Sequence, residues 1–244
     1  MAQKSILYKN QNFDISFEIA NFHLPKTLIF LHGWGSNKAL MKQVFFESFK
    51  EFRHLYIDMP GFGKSKNPPF SLDTKDYAAI LSILLNEMKI DEFSIVGHSF
   101  GGKVGVLLNP KELILLSSAG ILKKKSLKVR MKIALSKKLN QISPALGQIF
   151  SQILRSRDVS GMSQVMYETF KKVVDEDFSG IFENFKNQAF IFWGKEDNIT
   201  PLDCGEKIHS LIKKSHFFSL AGDHYFFLKQ AQKIEELYLK AKSI

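Results

Sequence analysis

The sequence predicts an α/β fold, a doubly wound and mostly parallel sheet of about eight strands with a helical cap insertion. Three observations predict it. Short runs such as 27–31, 93–96 and 190–193 are largely apolar and lack the alternation of a sheet with one wet face, so they read as parallel strands covered on both sides. Helical spacing separates them, clearest after Asp73, where Ala79, Ile80, Ile83, Leu84 and Met88 share a face. The chain of 244 residues is long enough for one large domain with a sizeable core.

In chain order, 6–8 and 13–19 read as an antiparallel pair. The strand at 27–31 runs into His32-Gly33-Trp34-Gly35, and a helix follows at about 39–49. A strand at 55–57 is closed by the loop Asp58-Met59-Pro60-Gly61-Phe62-Gly63. After the helix that begins at Asp73 come a strand at 93–96, a short helix ending before Asn109-Pro110, and a strand at 113–116. Residues 120–178 interrupt the alternation and read as helical, punctuated by Pro144 and Gly161. Strands at 190–193 and 216–220 resume it, and a helix at about 226–240 ends the chain. The expected organisation is a core of 1–119 and 179–244 with a cap of 120–178 over the C-terminal edge of the sheet, where open α/β sheets bind ligands.

The net charge of +10 is unevenly spread. Between Leu113 and Arg157 there is no acid and there are ten bases: Lys123, Lys124, Lys125, Lys128, Arg130, Lys132, Lys137, Lys138, Arg155 and Arg157. Elsewhere bases and acids are equal in number, so the predicted cap carries the whole excess. Three roles fit such a run: a solvated face, attraction of an acidic or carrier-bound substrate, and weak docking on an anionic membrane. Leu127, Met131, Leu135 and Ile142 would share one helical face, and Lys138 interrupts it, which favours a lid over a membrane surface. Aromatics do not interleave with the bases, so nucleic-acid binding is not expected. No apolar run approaches the ~20 residues of a membrane span. A single cysteine, Cys204, excludes an intrachain disulfide and reads as a packed small residue; a cytoplasmic location is the expectation.

The chemistry-bearing motif is Gly97-His98-Ser99-Phe100-Gly101, a G-x-S-x-G between a strand and a helix. Such a turn lifts the serine hydroxyl above the sheet and turns the next backbone N–H, that of Phe100, toward the place where an oxyanion forms. A serine needs a base, and the base needs an orienting acid. Asp197 follows the strand at 190–193 and His224 follows the strand at 216–220, so all three leave the sheet at the same edge in the order serine, acid, histidine. Glu196, Asp203 and Asp223 compete for the acid's place; Asp203 falls at a helix start, and Asp223 is too close to His224 to face its Nδ1. His98 is expected to pack or hydrogen-bond beneath the turn, His32 to brace the loop beside it, and Asp58 to be structural.

These motifs together resemble the α/β-hydrolase fold superfamily along essentially the whole chain: His32-Gly33-Trp34-Gly35, Asp58 to Ser65, the turn at Ser99, Trp193-Gly194 to Pro201, and Gly222-Asp223-His224. The resemblance implies Ser99 as nucleophile, His224 as general base and Asp197 as orienting acid. It also implies backbone N–H groups of Trp34 and Phe100 as the oxyanion hole, with Gly33, His98 and Gly101 in support. The expected function is hydrolysis of a carboxylic ester or thioester of a small acyl substrate through an acyl-enzyme, with no metal or organic cofactor required. Two alternatives stay open: hydrolysis of a carbon–carbon bond in a dienoate-type acid, with Arg130, Arg155 or Arg157 holding its acid group, and a binding or scaffold protein with a silent triad. The cap is the family's most variable part, so the resemblance does not carry over a substrate.

Overall fold

The N-terminal hairpin already departs from a simple alternation. Strand β1 (Ala2–Tyr8) and strand β2 (Gln11–Ala20) pair antiparallel in register Tyr8 with Gln11. The connecting Lys9 and Asn10 both sit at positive φ, 49° and 58°, the geometry of a two-residue turn whose twist matches that of paired strands. Both strands are longer than their apolar patterning predicts, because backbone pairing continues through their exposed polar ends.

The computed structural model describes residues 2–122 and 162–243. Its eight strands form one sheet in the order β1-β2-β4-β3-β5-β6-β7-β8, with β3 (Thr27–Leu31), β4 (Arg53–Ile57), β5 (Phe93–His98), β6 (Glu112–Leu116), β7 (Gln188–Gly194) and β8 (Ser215–Leu220). β2 meets β4 antiparallel, and every later pairing is parallel. The order reverses at β3, flanked by β4 and β5, so the loops leaving β3 and β5 diverge around one crevice.

Alternate side chains of the central strands enter two separate cores. Leu28 and Phe30 of β3 and Phe190 and Phe192 of β7 pack on one face with helix α1 (Lys38–Phe45) and helix α7 (Ala231–Lys242). Ile29, Leu31, Ile191 and Trp193 point the other way. There they meet α2 (Thr74–Glu87), α3 (Phe100–Leu107), α5 (Ser179–Asn184) and α6 (Leu202–Leu211). This two-sided burial is why 28–31 of β3 and 189–193 of β7 are apolar throughout. The Asp73 helix start is a capping box, with Asp73 accepting from the Asp76 N–H at 2.8 Å and Asp76 from the Asp73 N–H at 2.9 Å.

Two helices end differently from their sequence pattern. α1 stops at Phe45, four residues short of the expected end, because Phe49 is buried at φ 54° with its N–H donated to Glu235 on α7 at 2.6 Å. The predicted C-terminal helix is broken. Residues Phe226–Lys229 form a single 3-10 turn, and α7 starts afresh after Gln230.

Of the predicted insertion, the described part returns through α4 (Gln164–Val173). It is fastened to α3 by Lys103, a buried lysine whose Nζ donates to the Val173 carbonyl oxygen (2.6 Å) and to Glu176 (2.7 Å). Thr74 of α2 donates its hydroxyl to the same carboxylate. Burial pulls the Lys103 ammonium below the usual lysine range, and the Glu176 carboxylate opposes that pull. The ten bases of the charged run, Pro144, Gly161 and the apolar face of Leu127, Met131, Leu135 and Ile142 lie outside the described residues.

Candidate active site

Ser99 is the first residue after β5 and the N-cap of α3. Its backbone sits at φ 50° and ψ −112°, a conformation that costs a non-glycine residue about 1–3 kcal/mol and persists only where the surroundings over-determine it. They do so here. The Ser99 N–H donates to the Leu116 carbonyl oxygen at 3.0 Å, and its own carbonyl oxygen accepts from Gly102 (3.0 Å) and Ala119 (3.1 Å). Glycine is required on both sides: a Cβ on Gly97 would lie 2.6 Å from the Gly101 carbonyl oxygen, and one on Gly101 2.7 Å from that of His32. The turn is therefore wedged between the ends of β3 and β6 by contacts only glycine allows.

Three residues past β7, Asp197 is buried, and four past β8 so is His224. Asp197 Oδ2 lies 2.8 Å from His224 Nδ1. Asp197 Oδ1 accepts the N–H groups of Ile199 (2.8 Å) and Thr200 (2.9 Å), and the Thr200 hydroxyl lies 2.9 Å from Oδ2. Burial alone would raise this carboxyl; the hydrogen bond and charge of His224, with the Thr200 N–H and Ser117, overcome it and hold the group at about 2. The competing acids are elsewhere. Glu196 accepts from the Gly222 N–H, Asp203 lies in the first turn of α6, and Asp223 is exposed and accepts from the Tyr225 N–H at 2.8 Å.

Two neutral histidines support this edge. His98 Nε2 donates to the His224 carbonyl oxygen (3.1 Å), and the two rings lie 4.7 Å apart. Burial, helped by the nearby His224, pushes His98 down to about 3, so it adds no second cation beside His224. His32 donates from Nδ1 to the Gly33 carbonyl oxygen (2.8 Å) and accepts the Met59 N–H on Nε2 (3.1 Å); burial pushes it down to about 4. It thereby ties the loop after β3 to the loop after β4.

The loop after β3 comes close to the serine: a Cβ on Gly33 would lie 3.3 Å from Ser99 Cβ and 2.7 Å from His98 Nδ1. Phe100 is the first residue of α3, so its N–H has no partner within the helix. The Trp34 ring packs against Phe62, Phe100 and, from the returning insertion, Phe170, with centroids 4.9, 5.5 and 5.3 Å away.

Asp58 is structural, as its sequence context predicts. It accepts from Lys38 Nζ (2.6 Å), the Lys38 N–H (2.7 Å) and the Lys64 N–H (2.9 Å), in a pocket that buries both ions. Cys204 is buried on α6. The fold brings Ser99, Asp197, His224, Gly33, Trp34, His98, Phe100 and Gly101 to one edge. Sequence reasoning misses Thr200, Ser117 and Lys38, the partner of Asp58. Thr200 had a signal, standing three residues after Asp197 in the same loop; Ser117 and Lys38 had none.

The profile of the alpha/beta hydrolase fold family matches residues 26–111, the stretch from β3 through the Ser99 turn. An esterase (EaEST) from Exiguobacterium antarcticum superposes with a TM-score of 0.76 at 20% identity, covering 100% of both chains. The chain has the α/β-hydrolase fold, and its residues 26–111 match that family's profile. This α/β-hydrolase-fold chain is also 24% identical to the AB hydrolase superfamily protein YisY of Bacillus subtilis (strain 168), over 87% of this chain and 90% of that protein. A meta-cleavage product hydrolase (CumD) from Pseudomonas fluorescens IP01 superposes with a TM-score of 0.69 at 17% identity, over 98% and 97% of the two chains. No described helix is long and apolar enough to cross a membrane, and no described cluster of His, Cys, Asp and Glu is arranged to hold a metal.

Proposed function

We propose that this protein is a serine hydrolase that cleaves a carboxylic ester or thioester through an acyl-enzyme. The observation that carries the reading is the Asp197–His224 hydrogen bond of 2.8 Å on the same sheet edge as a serine at φ 50°. A buried carboxylate bound to Nδ1 requires the proton on that nitrogen, which leaves Nε2 of the imidazole free to act as a base. Ser99 Oγ then attacks the acyl carbon as its proton passes to Nε2. The tetrahedral oxyanion is received by the N–H groups of Trp34 and Phe100, which reorganise little because both loops are pinned. Collapse expels the alcohol or thiol, which takes the proton from His224. Water repeats the sequence on the acyl-enzyme and frees the acid. Residues 120–178 are the proposed cap, supported by Phe170 against the Trp34 ring.

The same three residues suit carbon–carbon hydrolysis, and the likeness to a meta-cleavage product hydrolase keeps that second reading in view. The test is labelling by a fluorophosphonate followed by a substrate panel. Labelling of the protein at pH 8, lost in Ser99→Ala, is expected. Folded protein that does not label would overturn both hydrolytic readings and leave a silent scaffold. Turnover of p-nitrophenyl esters and acyl thioesters without turnover of dienoates supports the first reading; the reverse supports the second.

A further inference from the structure

The Thr200 hydroxyl has three polar neighbours. Asp197 Oδ2 lies at 2.9 Å, the Ser117 carbonyl oxygen at 3.1 Å and His224 Nδ1 at 3.1 Å. A hydroxyl has one proton to donate and two lone pairs to accept with. Two of these neighbours, the carboxylate and the carbonyl oxygen, can only accept. The hydroxyl proton therefore goes to one of them, and a lone pair of Oγ1 is left facing Nδ1. His224 Nδ1 lies 2.8 Å from a carboxylate oxygen and so carries its proton on that side. The Nδ1–H group accordingly has two acceptors, one charged and one neutral.

We propose that Thr200 is a positioning residue of the acid–histidine pair, its Oγ1 acting as a second acceptor that holds the His224 ring plane and the tautomer with Nε2 unprotonated. The proposal rests on the hydrolase reading above for its consequence in catalysis, but not for its geometry.

The placement of Thr200 is determined from both sides. Its N–H donates to Asp197 Oδ1 at 2.9 Å, and its carbonyl oxygen accepts the indole N–H of the fully buried Trp193 at 2.7 Å. Ser117, whose carbonyl oxygen takes part, stands just past β6 at φ 43° and donates its N–H to Phe192 on β7 at 3.0 Å. The hydroxyl is thus held against Nδ1 by the ends of two adjacent strands. Among the described residues, the groups shown against the His224 ring are Asp197 and Thr200 from the loop after β7, His98 from the end of β5, and Tyr225 from its own loop. His98 spends its Nε2–H on the His224 carbonyl oxygen, so it does not compete for Nδ1. An Oγ1 lone pair that accepts from Nδ1–H favours the imidazolium that forms as Ser99 attacks. A purely space-filling residue would not.

The test compares Thr200→Val, which keeps the shape and removes the hydroxyl, with Thr200→Ser, which keeps the hydroxyl. On p-nitrophenyl butyrate, Thr200→Val is expected to lower kcat about tenfold, the size of one hydrogen bond to a charged group, with KM within about twofold. The acid limb of its kcat/KM profile moves to lower pH, and Thr200→Ser restores both kcat and the limb. Equal activity of Thr200→Val and the unaltered protein overturns the proposal. So does a loss with an unmoved acid limb that serine fails to restore, since that is the mark of a packing role. A measurement without substrate separates this from the hydrolase reading: the His224 Nδ1–H resonance in 15N-histidine-labelled protein is expected to shift in Thr200→Val and return in Thr200→Ser. An unshifted resonance overturns the role of Thr200 even in an active enzyme. Unaltered protein that resists fluorophosphonate overturns the hydrolase reading alone. Thr200→Ala replaces the valine variant if the latter does not fold.

Discussion

Replacing Lys38 with methionine tests whether the loop behind the Ser99 edge is held by a buried ion pair. Lys38 opens α1, directly after the loop that carries Gly33 and Trp34, and its Nζ meets Asp58 Oδ2 at 2.6 Å with side-chain exposures of 3% and 1%. It also reaches Ser16 Oγ at 3.0 Å. Methionine fills the stem of the lysine but removes the cation, leaving a buried carboxylate. Losing one partner of a buried pair costs about 3–5 kcal/mol. Asp58 keeps two backbone donors, the N–H groups of Lys38 and Lys64, so the lower end, about 3 kcal/mol, is expected. In a domain of this size that lowers Tm by roughly 6–12 °C. Urea unfolding followed by the fluorescence of Trp34 and Trp193, both packed into the core or its margin, reads the loss as a shift in midpoint at constant slope. Under the proposed mechanism a fall in ester turnover is expected as well, because Lys38 follows directly on the loop that carries Trp34. A loss below about 1 kcal/mol, the worth of an exposed pair, would refute the reasoning.

Two further outcomes follow from the same geometry. Gly101→Ala puts a methyl group against the carbonyl oxygens of Leu31 and His32; overpacking of this kind costs about 1–3 kcal/mol and moves the Ser99 turn, so a lower thermal midpoint and loss of fluorophosphonate labelling are expected together. Asp197 is held at about 2, below its unfolded value near 3.9, so the stability it contributes is present above that unfolded value and is lost as pH falls through about 2. Asp197→Asn should therefore unfold at lower urea than the unaltered protein at pH 7, with the gap narrowing by pH 3; a gap that does not change with pH counts against the assignment.

Much of this fold is legible because its determinants are local. A strand covered on both faces is apolar along its covered length, and 28–31, 113–116 and 190–193 are. The serine turn needs glycine at 97 and 101 for steric reasons, and those glycines are visible in the chain. The acid and the histidine are legible by a weaker signal, their place just past two strands. Spacing sets aside Asp203 at a helix start and Asp223 beside His224, but Glu196 and Asp197 are neighbours, and what separates them is that Asp197 reaches Nδ1 while Glu196 accepts from the Gly222 N–H. The helix ends are misjudged where a distant side chain intervenes: Glu235 takes the N–H of Phe49 and ends α1 early.

The sequence by itself determined the class of sheet, the order of serine, acid and histidine along it, and the concentration of positive charge in residues 113–157. The first and the last depend on residues near one another in the chain, and the second is the chain order itself. Tertiary structure alone decided that Lys38 neutralises Asp58, that Lys103 of α3 meets Glu176 just past α4, and that Thr200 and Ser117 stand beside the Asp197–His224 hydrogen bond. The physical reason is strand order. β6, β7 and β8 are separated in sequence by helices, yet they lie side by side, and a buried polar group is satisfied by whatever the neighbouring strand end presents.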